Sequence, residues 1–587
     1  MDNEKLLFYD LEVFKYDSLA VFKDMNTGVI THFWSKKAGE FKEDSPNGFE
    51  AVKSLIEGRI LAGYNNFNYD DLILHKMIRG RTQAEIKDLN DRIIRGDNVS
   101  TERKEAHANL ISIDVYQQID VSRPSLKKIE GNMGRSIIES EIPFDIDRPL
   151  TEEEKAAVLR YCIYDVETTI MVYRLREKSY FATKQELIEM EGSGRCDRWN
   201  TTTISGNILL DYPEPQWDRI RIPDHIWRKV PGIPSEVWDK WEASTYQTRN
   251  DKKSSLTFRA FSCDVTFGFG GLHGASVLGT KFTDVKLLDV SSMYPSIIVL
   301  LDALGKGTEK YEEIRKERIR IKHEDKTKSA ALKLILNSVY GNLKNEYSIL
   351  YNPMAAVTVC VYGQISLFDL CRRLDEAGYK IVNINTDGVA FVDHTGAGNR
   401  YKQIWTEWEN DFGLNLELDE FDLWIQKDVN NYVARTGDTV KTKGGECNKY
   451  SEEKFFSNND ARIIQIALVD KLIFGKDVLA TILEHLDDPK LYQYVLKAGS
   501  TYDGVYDEDG NKLQNVNRIF AAKDSSDVKS TKLYKVRNDG GRVNFPDMPD
   551  RMFLYNGDLD YFTEFRDIID INHYYEVACK KLSAWKT

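Results

Sequence analysis

Short apolar runs with β-type spacing (LLFYDLEVF, LAVF, GRILAGYNN, LISIDVY) alternate with helical stretches over the first 180 or so residues. This alternation predicts a mixed α/β domain. Residues 152–178 form one long predicted helix, opened by Glu and Lys and carrying the apolar face of AAVLRYCIYDVETTIMVYRL. Residues 183–265, richer in Trp, Pro and charge from 185 onward, read as a connector leading into a second domain. In KLLDVSSMYPSIIV (286–299) an apolar strand delivers a single carboxylate, Asp289, and the chain then turns at Tyr294-Pro295. A helical pair follows at 308–323 and 328–341. GYKIVNINTDGVAFV (378–392) predicts a hairpin tipped by Asp-Gly, and NNYVARTGDTVKTKGG (430–445) a second one. The remainder starts with helices, continues with β-like pieces and closes on a helix at DINHYYEVACKKLSAW.

At 587 residues the chain is too long for one core. The amino terminus lacks a basic region followed by an apolar one, and no run reads as the roughly 18 apolar residues of a membrane span. The expectation is a cytoplasmic protein without a membrane partner. Seven cysteines without a CxxC pair argue against a zinc ribbon or a disulfide framework. The net charge of −13 weighs against nucleic-acid binding, but a local basic groove can coexist with an acidic exterior.

The acidic residues fall into two sets. Asp10 and Glu12 alternate in LLFYDLEVF, so a strand puts both on one face. Strongly apolar flanks make this a central strand rather than a solvated edge. Asp70 sits at the mouth of an aromatic loop, and Tyr161 and Asp165 share one face of the long helix. Four such acids could hold two divalent metals, with Tyr161 positioning an attacking water. In the second set Asp289 and Asp387 lie on strands that could pair, an arrangement suited to two-metal phosphoryl transfer. Taken alone, Asp289 also reads as a strand-end cap. Lys333, Asn337, Tyr340 and Gly341 form one helical stripe, which also suits an ordinary amphipathic helix. Arg318 and Lys322 lie in a window (306–344) with 11 basic and 6 acidic residues, net +5, either a solvated face or a triphosphate clamp.

These segments resemble the family B DNA polymerases. Asp10-Leu11-Glu12, Asn65 to Asp70 and Tyr161 to Asp165 are similar to the three motifs of the 3′→5′ proofreading exonucleases, in the same order. DVSSMYPS, KLILNSVYG and NTDGV resemble polymerase motifs A, B and C, and Tyr432 with Lys441-Thr442-Lys443-Gly444 resembles the elements that grip the primer duplex. The resemblance covers about residues 5–445. It implies an RNase H-like exonuclease domain (1–182) and a right-hand polymerase: palm at 266–300 and 350–445, fingers at 301–349, and a thumb or C-terminal region at 446–587.

By position, the resemblance implies that Asp289, Asp387 and the Val290 carbonyl bind two Mg²⁺ or Mn²⁺ ions. Asp10, Glu12, Asp70 and Asp165 would bind two more. Tyr294 would lie beneath the deoxyribose and exclude a 2′-hydroxyl. Arg318, Lys322 and Lys333 would hold the incoming dNTP, and Asn337, Tyr340 and Gly341 would line the new base pair. Asn65, Gly270, Gly271, Tyr432, Lys441, Lys443 and Gly444 would contact DNA. Primer–template DNA, dNTPs and replisome proteins are the implied partners of a monomer, and the compact size suggests a bacteriophage-like enzyme in a bacterial cytoplasm.

Three positions depart from the pattern. Asn385 and Gly388 replace the first acid and the serine of motif C, and Asn430 stands where a lysine is usual. No insertion of the protein-primed kind is evident. A second reading is therefore a 3′→5′ exonuclease whose polymerase half has become a DNA-binding platform; a third is a non-catalytic replisome scaffold.

Overall fold

β1 (Leu6–Val13) is buried at every position but Asp10. It occupies the interior of a six-stranded sheet in the order β4-β3-β2-β1-β5-β6, completed by β2 (Ser18–Asp24), β3 (Ile30–Lys36), β4 (Glu40–Phe41), β5 (Ile60–Gly63) and β6 (Ser112–Asp114). β1 pairs antiparallel with β2 and parallel with β5, and β5 pairs parallel with β6. Burial on both faces explains the nearly unbroken apolar run around the two acids. The computed structural model describes all residues except 1–2, 37–39, 42–48, 141, 195, 244–254, 458–460, 500, 524, 526–527, 547 and 587. Residues 244–254 of the expected connector therefore lie outside the described residues.

The long helix runs Glu152–Arg176 and opens with a capping box between Thr151 and Glu154. It packs on β1 and β2, which turns Cys162, Asp165, Val166 and Thr169 inward.

The chain divides into two compact units. The second unit comprises Glu186–Glu453, Arg462–Leu486 and Ile571–Thr587. Its nine-stranded sheet has the order β15-β14-β13-β10-β12-β11-β9-β8-β7. The strands are β7 (Leu256–Ala260), β8 (Cys263–Phe267), β9 (His273–Ser276), β10 (Lys281–Val290), β11 (Tyr379–Asn385), β12 (Gly388–Asp393), β13 (Leu416–Gln426), β14 (Tyr432–Thr436) and β15 (Thr439–Lys443). Both expected hairpins form, with Thr386 and Asp387 as the turn of the first. The helical pair spans Thr308–Ile321 and Lys326–Lys344.

Helix Pro353–Glu376 is long and apolar enough to cross a membrane, against the expectation that no run is. Its apolar window is wholly buried in the core of this unit, where all-round burial calls for an all-round apolar helix.

Residues 446–587, expected as one region, are divided. Lys454–Ala461 and Asp487–Asp570 group with Met1–Gln185 as the first unit. They contribute two three-stranded sheets: β16 (Tyr494–Lys497) with β18 (Val516–Ala521) and β21 (Met552–Leu554), and β17 (Tyr502–Tyr506) with β19 (Tyr534–Arg537) and β20 (Arg542–Asn544).

Candidate active sites

In the first unit, three elements bring the four expected acids together. Asp10 and Glu12 come from β1, Asp70 opens the helix Asp70–Ile78, and Asp165 comes from the long helix. The loop before Asp70 is fixed from below. Asn65 adopts a left-handed φ of 65°, its amide donates to Asp114 Oδ1 at 2.8 Å, and Asn66 folds back where a Cβ on Gly63 would meet its own Cβ at 2.8 Å. Buried Asp71 then accepts from Tyr9 Oη (2.5 Å), Asn66 Nδ2 (3.0 Å) and Ser112 Oγ (2.6 Å). This network anchors the start of the Asp70 helix.

Burial is the first cause lifting each acid, and repulsion from neighbouring carboxylates adds to it for Asp10, Glu12 and Asp70. Asp10 is raised to about 7 by burial and then by Asp165. Glu12 is raised by burial and then Asp10, Asp70 by burial and then Asp10, and Asp165 by burial. Tyr161 hydrogen-bonds Asp165, as their shared helix face requires.

Two neighbours were not foreseen. Lys127, on the short helix Leu126–Asn132, is only 9% exposed. Its ammonium pairs with Asp165, lies 3.5 Å from Glu130 and sits 4.4 Å from the centre of the Tyr161 ring. The i, i+3 spacing of Lys127 and Glu130 was the only signal in the sequence, and it reads equally well as a solvated pair. Cys162 is the second neighbour, its Sγ 3.5 Å from Asp10 Oδ2. Asp10, Glu12 and Cys162 offer ligand atoms within 4.8 Å of one another. Burial, and after it Asp10, pushes the Cys162 thiol well up, and the carboxylate oxygens of Asp10 and Glu12 are of the kind that suits a hard divalent cation.

In the second unit Asp289 lies on β10 directly opposite Gly388 of β12, and the Val290 amide donates to the Asp387 carbonyl at 2.7 Å. A Cβ on Gly388 would overlap Asp289 Oδ1. Asp289 is raised to about 6, first by burial and then by Asp387, with Lys441 and Lys443 pulling the other way. Asp387, on the exposed turn, is raised by partial desolvation and lowered by the same two lysines. The lysines expected on the second hairpin thus act electrostatically on this carboxylate pair.

Between Asp289 and the next helix the chain passes through Ser292 at φ 49°, a left-handed conformation uncommon for serine. The Tyr294 ring then packs against Tyr340, tilted by 32° with ring centres 4.3 Å apart. Together with Asn337 and Asp387 these two rings line a cavity of about 250 Å³. Lys333, Asn337 and Gly341 form an exposed stripe on their helix. Among the described residues Arg318, Lys322 and Lys333 form no ion pair, while Arg315, Lys316, Arg320 and Lys328 are each tied to glutamate. Arg318 Nε is also buried without an acceptor.

The glycine loop has a structural task. Gly271 lies against Thr386, where a Cβ would meet the Thr386 Cα at 2.6 Å; Gly270 has open space beside it. Gln364 Nε2 holds the loop through the carbonyls of Gly268 (2.9 Å) and Gly270 (2.8 Å). Tyr432 is 5% exposed and stacks on Trp424, so its ring supports the sheet from within. Gly444, at φ 100°, makes room for the Asn430 carbonyl. Asn385 Nδ2 donates to the Val429 carbonyl at 2.9 Å.

No protein-family model and no curated protein matches the chain. Among solved structures, the family B DNA polymerase from the hyperthermophilic archaeon Pyrobaculum calidifontis aligns over 99% of this chain and 77% of that one, at 13% identity and a TM-score of 0.42.

Proposed function

We propose that the chain is a template-directed DNA polymerase with a separate 3′→5′ exonuclease. In this reading the first unit is the RNase H-like nuclease, and the second contains the palm and fingers. The observation that carries it is the cavity in the second unit, where Tyr294, Asn337 and Tyr340 from two helices meet Asp387 beside Asp289. The sequence motifs that resemble polymerase motifs A, B and C supply those residues.

Both carboxylate sets suit divalent cations, because burial and repulsion raise acids that a cation would relieve. Asp289 and Asp387 with the Val290 carbonyl would hold Mg²⁺ or Mn²⁺ in one unit; Asp10, Glu12, Asp70 and Asp165 would do so in the other. When bound, the ions supply charge neutralisation on the phosphate and a more acidic attacking oxygen.

The chain's own groups do the rest. Arg318, Lys322 and Lys333, unpaired as they are, attract the triphosphate. Tyr294, braced by Tyr340, forms a rigid floor beneath the sugar. Lys441 and Lys443 neutralise the primer backbone beside the acids. In the nuclease, Tyr161 directs its hydroxyl toward Asp165 and the attacking water, and Lys127 supplies a positive charge next to the scissile phosphate.

The platform reading drew on the missing first acid of motif C. Asn385 instead has a local reason: its amide donates to a carbonyl that a carboxylate would repel. The test is a primed template with Mg²⁺, with and without dNTPs. Asp387→Ala should abolish extension and spare degradation, and Asp10→Ala should do the reverse. Loss of both activities from either folded variant would refute the two-site assignment; degradation without extension by the natural protein would favour the platform.

A further inference from the structure

We propose that residues 487–570 are a working part of the carboxylate site of the first unit, acting through Arg518 as a positioning residue for the helix that carries Lys127 and Glu130. The functional consequence rests on the nuclease reading above; the mechanical one does not.

The helix Leu126–Asn132 has seven residues, too few to hold its shape unaided. Its last carbonyls lack partners within the helix, as at any helix end. Three of them accept from the amides just past the helix (Ile129 from Met133, Gly131 from Gly134, Glu130 from Arg135), and the segment beyond residue 486 adds a second set of donors around this end. Arg518, on β18 and fully buried, donates from Nη2 to the carbonyls of Gly131 (3.1 Å) and Arg135 (2.5 Å). Its Nε reaches Gln493 Oε1 at 2.8 Å and its Nη1 the Gly557 carbonyl at 2.6 Å. Gln493 Nε2 in turn donates to the Asn132 carbonyl (3.2 Å), and the Leu559 amide to Gly134 (2.9 Å).

Packing repeats the pattern. Gly131 approaches β16 so closely that a Cβ there would meet Val495 Cγ1 at 2.8 Å. The guanidinium thus lies across the carboxyl end of the helix, where a positive charge is favoured. One turn upstream the same helix presents Lys127 to Asp165. A short helix clamped at one end sets the position of the ammonium at the other. A buried arginine with four partners, all carbonyl or amide oxygens, fits a clamp, since its fork fixes direction as well as distance.

The test uses full-length protein. In metal-free amide exchange, Arg518→Met should speed exchange over 126–132 by at least tenfold and leave β1 unchanged. With Mg²⁺ and a 5′-labelled single-stranded oligonucleotide, the same variant should slow single-turnover degradation at least tenfold without changing half-saturation, and leave primer extension within twofold. If Arg518 acts through Lys127, the Arg518→Met/Lys127→Met double variant should be no slower than Lys127→Met alone. Gln493→Ala, a milder cut at the same clamp, should give the same pattern at about threefold. Normal exchange over 126–132, exchange equally fast in β1, or multiplicative effects in the double variant would overturn the proposal. Absence of degradation by the natural protein would overturn the nuclease reading alone, and the exchange result would still decide the clamp.

Discussion

Gly388→Ser would restore the serine of the polymerase motif that NTDGV resembles, and it should nevertheless damage the site. Gly388 stands directly across from Asp289 in the β10–β12 ladder. Any Cβ there overlaps Asp289 Oδ1 and comes within 3.1 Å of Leu287 Cδ1. To regain ordinary contact, the Asp289 carboxylate must move by about 1 Å or more, a misplacement worth about 10²-fold in rate. Overpacking adds about 1–3 kcal/mol of strain to the sheet. Gly388→Ala should therefore behave like Gly388→Ser, since the first added carbon does the harm. The assay is single-turnover primer extension at saturating dNTP, with degradation of a single-stranded 3′ end measured on the same preparation. Extension should fall about 10²-fold while degradation stays within twofold. Extension within threefold of the natural protein in both variants would refute the argument that this missing side chain makes room for Asp289.

Asn385→Asp, the other change toward the familiar motif, should lower stability by about 1–3 kcal/mol in denaturant titration, because it sets a carboxylate against the Val429 carbonyl; an unchanged midpoint would refute it. Tyr294→Ala should reduce discrimination against ribonucleotides by about 10²-fold in competitive incorporation while deoxynucleotide extension persists; unchanged selectivity would remove Tyr294 from the sugar contact. For pH, Asp10 is held at about 7 in the metal-free fold, so it binds its proton more tightly folded than unfolded. Its stability contribution is greatest below the unfolded carboxylate range near 4 and falls as pH rises through about 7. In chelator the first unit should melt lower at pH 8 than at pH 5.5, and Mg²⁺ should raise the melting temperature mainly at pH 8; the opposite order would exclude the raised carboxyls as its cause.

What the sequence disclosed follows from periodicity and turns. Apolar flanks around Asp10 and Glu12 announce a buried strand, the Tyr161–Asp165 spacing announces a shared face, and Asp387-Gly388 announces a hairpin. All three are local. Lys127 escaped notice because SLKKIEGN, read locally, is a polar segment, and only the packing of a distant helix makes its lysine a buried one. Arg518 escaped for the same reason, since two of its four partners, Gly131 and Arg135, lie hundreds of residues away. Tyr432 was expected at the DNA on its resemblance to a primer-gripping element, and a motif does not say which face of a strand is covered. The Pro353–Glu376 helix was passed over because polar residues interrupt an otherwise apolar span.

The interleaving of the two units sets an order of events during synthesis. The first 185 residues leave the ribosome early, but the strands that cap the Lys127 helix are translated only after most of the second unit. At about 5–20 residues per second that interval is on the order of half a minute. Through that time the Leu126–Asn132 segment lacks the partners that fix it, and its lysine has no enforced place. The growing chain thus carries these acids without a finished site around them while the second unit is made, and any nucleolytic competence is deferred until residues 487–570 have been added.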